Sequence, residues 1–148
     1  MKVLFLDVDG VLNSEETFTK DPHAHFPIDA YMAFLVGRIE MNTCCKVVLS
    51  SSWRHHGESV EHIKKRVVPI FDITVSRPVV GGAEMKERGY EIQEWLDRHP
   101  EVTHYAILDD DSDMLEEQLP NFFKTEWKTG LTTDIAEKVI QHLNRKKK

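Results

Sequence analysis

The chain has 148 residues, 41% of them hydrophobic and 30% charged, with a formal net charge of -6. That length suits one domain with a single three-layer core, the composition excludes a disordered chain, and the negative balance argues against a broad polyanion-binding surface. The apolar runs are too short for a membrane span, and the opening MKVLFLDVDG meets an acid at position 7 before a signal-peptide core could form, which reads as a cytoplasmic protein.

Lys2 to Val8 is a hydrophobic run broken by Asp-Gly, the pattern of a buried central strand that ends in a loop. Asn13 to Ile28 shows no regular period and is expected to be a loop overhanging the site. Asp29 can cap a helix whose apolar face includes Tyr31, Phe34, Leu35 and Ile39. Cys44 and Cys45 are the only cysteines. Adjacent cysteines make a poor bridge, so they read as small core or strand-edge residues in a reducing compartment.

Lys46 to Ser50 is a second buried strand. Glu58 to Val67 reads as a helix with Lys64, Lys65 and Arg66 on its wet face, and Phe71 to Val75 as a weaker strand. Ser76 to Lys86 is again irregular. From Gly89 a helix presents Ile92, Trp95 and Leu96 and stops at Pro100. Tyr105 to Leu108 is a third buried strand, followed by six acids between Asp109 and Glu117. Phe122 to Thr125 is a weaker strand. Thr132 or Thr133 can cap a last helix with Ile135, Ala136, Val139, Ile140 and Leu143 on one face, and residues 145–148 form a basic, solvated tail.

Strands alternating with helices imply parallel βαβ units. The expected fold is an α/β three-layer sandwich with a central, mainly parallel sheet, in one domain over 1–148, with its functional loops at the carboxyl ends of the strands. Asp7, Ser50 and Asp109 fall at those ends.

Two acids one residue apart, Asp7 and Asp9, precede Gly10, where the strand must break and free Asp9 to turn toward whatever Asp7 touches. A buried acid pair needs a cation, and Mg²⁺ prefers oxygen ligands. Asp109 and Asp110 arrive at the same sheet edge, where so many acids would repel without metal. Ser50, with Ser51, offers donors to a phosphate oxygen. Lys86 or Arg88 would supply fixed positive charge, and Arg88 is favoured because it sits directly before the helix.

These residues resemble the four motifs of the haloacid-dehalogenase (HAD) superfamily. Asp7-Val-Asp-Gly-Val-Leu12 looks like the first, Ser50 the second, Lys86 or Arg88 the third, and Asp109-Asp110 with Asp113 the fourth. The resemblance implies an HAD-like Rossmannoid fold and a Mg²⁺-dependent phosphatase. In it Asp7 attacks phosphorus, Asp9 manages the proton, and the metal is held by Asp7, the Asp9 backbone carbonyl and the strand-end acids Asp109 and Asp110. The 42 residues between Asp7 and Ser50 leave a loop of about sixteen at the usual cap position once the Asp29 helix is counted, so no large cap is expected.

Ser51-Ser-Trp-Arg54, Arg88-Gly-Tyr-Glu-Ile92, Leu108-Asp-Asp-Asp111 and Thr129-Gly-Leu-Thr132 look most like the small HAD domains of RNA-repair proteins. That likeness implies a polynucleotide end phosphatase. A nucleotidase or other small-molecule phosphatase, and a module that binds phosphorylated ends without turnover, are the alternatives. No obligate protein partner is implied. Asn13, Trp53, Arg54 and Asp113 are expected on the substrate rim, with Trp53 either stacking a base or packing under the loop. His23 and His25 read as solvated.

Overall fold

The computed structural model describes residues 1–75 and 87–146. Lys86 and the irregular stretch from Ser76, together with Lys147 and Lys148, lie outside the described residues.

Five parallel strands, β1 (Lys2–Leu6), β2 (Lys46–Leu49), β3 (Asp72–Ile73), β4 (His104–Asp109) and β5 (Phe122–Lys124), form one sheet in the order β3-β2-β1-β4-β5. Parallel strands need crossovers, and here they are helices α2 (Ala30–Thr43), α3 (Gly57–Arg66) and α4 (Glu87–Asp97), with α5 (Thr133–Leu143) following β5. Val3, Leu4, Phe5 and Leu6 of β1 are wholly buried because the sheet is covered on both faces.

The pleat divides the core in two. Leu4, Leu6, Val47, Leu49, Ala106 and Leu108 pack with Leu35, Val36 and Ile39 of α2, Ile63 of α3, and Ala136, Val139 and Leu143 of α5. Val3, Phe5, Val48 and Ile107 point the other way, against Ile92 and Trp95 of α4. Phe5 meets Trp95 edge to face with centroids 5.4 Å apart, the arrangement that ring quadrupoles favour.

Three expectations need correction. The 13–28 stretch is not all loop, since Glu15–Lys20 forms a short helix, α1, whose Phe18 packs on Trp127 at 5.3 Å. The inner face of α2 is Met32, Leu35, Val36 and Ile39, while Tyr31 and Phe34 are exposed and stack on one another. Residues 31 and 34 look like part of an apolar stripe, but α2 must aim between the sheet and α5, which selects the 32, 35, 36, 39 row. Phe71 to Val75 shrinks to the two paired residues of β3, an edge strand that leaves Phe71, Ile73 and Val75 exposed.

Caps follow the side chains. Asp29 accepts from the Tyr31 and Met32 amides, and Thr132 accepts from Ile135. Cys45 is buried beside β2, and Cys44, in the left-handed region at φ +57°, closes α2. Among the described residues no helix is long and apolar enough to cross a membrane.

Candidate active site

At the carboxyl edge the ladder runs one residue past each strand. The Asp7 amide donates to Leu108 O, the Ser50 amide to Leu6 O and the Thr125 amide to Asp109 O, each at 3.0 Å. These bonds place Ser50, Asp7 and Asp109 side by side on neighbouring strands, although they are far apart in the chain. Gly10, at φ +79°, then turns the chain away from β1. Its carbonyl accepts from Thr125 Oγ1 at 2.6 Å, tying the first loop to the end of β5.

Asp7, Asp109 and Asp110 each offer a carboxylate oxygen, and these atoms lie within 4.8 Å of one another. Asp7 and Asp109 are buried, and Asp110 is partly so. Burial, and after it the charge of Asp7, pushes the Asp109 carboxyl up to about 8 and that of Asp110 up to about 6. Asp109 therefore holds its proton near neutrality unless a cation replaces it. Three hard oxygen donors at one edge therefore fit Mg²⁺.

Arg88, at the start of α4, reaches Asp109 Oδ2 at 2.7 Å and Asp7 Oδ1 at 3.3 Å. Burial works against its charge, but Asp109, Asp7 and Asp113 more than offset this and raise its pKa. The third-motif role divides accordingly: Arg88 joins the acids, while Lys86 lies outside the described residues. The start of α4 is held by Asp113, whose Oδ2 accepts the Arg88 amide at 3.3 Å and whose carbonyl accepts the Gly89 amide at 3.0 Å. Asp113 thus anchors a helix instead of standing on the rim. A Cβ at Gly89 would crowd the Leu115 amide, so α4 can approach this closely only through glycine.

Ser50 is fully buried, and among the described residues its Oγ has no hydrogen-bond partner. An unpaired buried hydroxyl costs free energy unless a ligand satisfies it, and this one sits on the strand next to Asp7. Ser51 Oγ instead accepts the Trp53 amide at 3.1 Å and caps the 3₁₀ turn Ser52–His55.

The remaining rim residues lie inside. Arg54 donates to the carbonyls of Ser50 and Ser51 at 2.9 and 3.1 Å and pairs with Glu91 of α4 at 2.8 Å, with 6% and 7% of the two side chains exposed. Burial lowers the Arg54 pKa, with Glu91 opposing. Asn13 is fully buried and Trp53 nearly so. Asn13 Nδ2 donates to Asp9 Oδ1 at 3.0 Å, and Trp53 Nε1 donates to Asp9 Oδ2 at 3.1 Å. Each of the three turns inward because it carries N–H donors that find a carbonyl or carboxylate beneath the loop.

Sequence reasoning passed over Glu91 and Thr125. Glu91 sits next to Ile92 on the inner side of α4, and an acid there requires a buried cation, which is the signal that could have found it. Among the described residues, a groove of about 1190 Å³ is lined in part by His25, Phe26, Phe34, His62 and Arg66, and it includes none of the sheet-edge acids. Phe26 packs on Trp53 at 5.2 Å, so the groove abuts the residue that holds Asp9.

A family model described as the HAD domain in Swiss Army Knife RNA repair proteins matches residues 3–136. Comparisons with curated proteins and with solved structures give no significant match. The matched span runs from Val3 of β1 through β5 and includes every acid at the sheet edge. With that span, the parallel sheet and the strand-end acids in agreement, the chain belongs to the HAD domain family of the Swiss Army Knife RNA repair proteins.

Proposed function

We propose that this domain is a Mg²⁺-dependent phosphomonoesterase that works through an aspartyl phosphate on Asp7 and acts on polynucleotide ends. The observation that carries the reading is the convergence on Asp7. Two further acids and the Arg88 guanidinium gather round its carboxylate, and the unpaired Ser50 hydroxyl stands on the neighbouring strand.

Asp7 forms a bond to phosphorus as the ester oxygen leaves, and Asp9 gives that oxygen its proton. Asp9 then takes a proton from water, whose oxygen attacks the same phosphorus. The acyl phosphate breaks, inorganic phosphate leaves and Asp7 is regenerated. Ser50 and Arg88 hold phosphoryl oxygens, where fixed donors and charge are worth most as the transition state forms. Asp7, Asp109 and Asp110, with the Asp9 carbonyl, would hold Mg²⁺, which when bound would neutralise phosphoryl charge.

The substrate class rests on the family's RNA-repair setting, the absence of a folded cap between β1 and α2, and the groove that Phe26 joins to Trp53, whose mixed lining includes the aromatic Phe26 and Phe34 and the cations Arg38 and Arg66. Phosphate release should be measured with Mg²⁺ from 3′- and 5′-phosphorylated oligonucleotides, mononucleotides and phosphopeptides. Turnover of one oligonucleotide class in preference to the rest is expected, with a loss of about 10³-fold or more in Asp7→Asn. Preference for mononucleotides would make it a nucleotidase. Oligonucleotide binding with no turnover of any ester would make it a binding module.

A further inference from the structure

Asp9 stands outside the group formed by Asp7, Asp109 and Asp110. Both of its oxygens are instead held by N–H donors from separate segments, Asn13 Nδ2 on Oδ1 and Trp53 Nε1 on Oδ2. We infer that Asn13 and Trp53 are positioning residues for Asp9, fixing the carboxylate that moves the proton. This rests on the phosphatase reading above.

Each donor is itself immobilised. Asn13 Oδ1 accepts the Gly10 amide at 2.9 Å, and its Nδ2 also donates to Pro27 O at 3.0 Å, so the amide cannot swing away without breaking three bonds. The Trp53 amide donates to Ser51 Oγ, its carbonyl accepts from Ser59 Oγ at 2.6 Å, and its ring lies against Phe26. A buried indole needs one acceptor, and any backbone carbonyl would serve. Here it takes a side chain whose other oxygen is already held by a buried amide, so rotation about the last torsion of Asp9 is blocked from both sides. An ionised carboxylate has about four acceptor positions. The clamp uses two, and one remains on each oxygen for the reacting proton.

General acid–base catalysis needs the proton held in line with the oxygen that receives it. The test is therefore the leaving group. The p-nitrophenolate of an aryl phosphate leaves without a proton, whereas the alkoxide of an alkyl phosphate needs one to leave. kcat/KM, which reports formation of the aspartyl phosphate, should be compared for p-nitrophenyl phosphate and an alkyl phosphate in wild type and Trp53→Phe, which keeps a ring against Phe26.

The expected result is a fall of about tenfold or more on the alkyl ester against less than about twofold on the aryl ester. Equal losses on both esters, or no loss on either, would overturn the positioning role and leave the phosphatase reading standing. Wild type inactive on both esters and on every phosphorylated oligonucleotide would overturn both. Should Trp53→Phe not fold, Asn13→Asp carries the same expectation, because it keeps the acceptor for Gly10 but turns the donor into a charge that repels Asp9.

Discussion

At Gly10 the backbone adopts φ +79° directly below the Asp110 carboxylate, which a Cβ would overlap. Gly10→Ala should cost about 1–2 kcal/mol through its left-handed conformation alone. It should also weaken Mg²⁺ binding by displacing Asp110. Urea denaturation reads the first effect and calorimetric titration of Mg²⁺ the second.

This glycine and the paired acids were legible in the sequence because their chemistry is local: a strand must end, and acids must find a cation. The inward turns of Asn13 and Arg54 were not, and for Trp53 packing under the loop was one of two readings. Sequence shows that polar groups follow a strand, but it does not show which way they turn. All three turn inward, toward acceptors some of which distant parts of the chain supply, Asp9 for Trp53 and Glu91 for Arg54 among them.

Among the elements, the 3₁₀ turn at Ser52–His55 and α4 are joined by the Arg54–Glu91 pair, which links the Ser50 loop to the helix that carries Arg88. Removing one partner takes the ion-pair charge at 2.8 Å away from a buried ion. Arg54→Met or Glu91→Gln should each cost about 3–5 kcal/mol in urea unfolding, and Arg54→Met with Glu91→Met should recover much of that.

On α2 the burial pattern predicts opposite outcomes for neighbours. Leu35→Ala should cost about 2–5 kcal/mol, while Phe34→Ala should stay within about 0.5. The helix was readable from Asp29 and its apolar content. Its rotation was not, because nearly every turn carries apolar residues on more than one side and only docking against the sheet and α5 chooses among them. The central strands were plain for the opposite reason: burial on both faces makes β1, β2 and β4 uniformly hydrophobic. The edge strands β3 and β5 have only two and three paired residues and leave a weaker trace.

For the molecule as a whole, the raised acids set a pH dependence. Asp109 moves from an ordinary 3.8 to about 8, and Asp110 from 3.8 to about 6. Across that window the folded protein keeps protons that the unfolded chain has released. Without metal, stability should therefore fall as pH rises, and the penalty is complete only above the folded values. Mg²⁺ competes with those same protons, so the rise in Tm on adding it should be larger at pH 8 than at pH 5.5. Thermal melts at the two pH values check this, and Asp109→Asn should flatten the difference.

The strand order has one more consequence, in time. β1 is made first and sits at the centre, with β2 on one side and β4 on the other. On a ribosome one edge of β1, apolar on both faces, waits open until residue 109 has been made, a stretch in which another chain could pair with it. Closing that edge is also the act that brings Asp109 to Asp7. A nascent chain thus closes that edge and gathers its three acids in a single docking event, and a cation held by them would favour the finished arrangement over every earlier one.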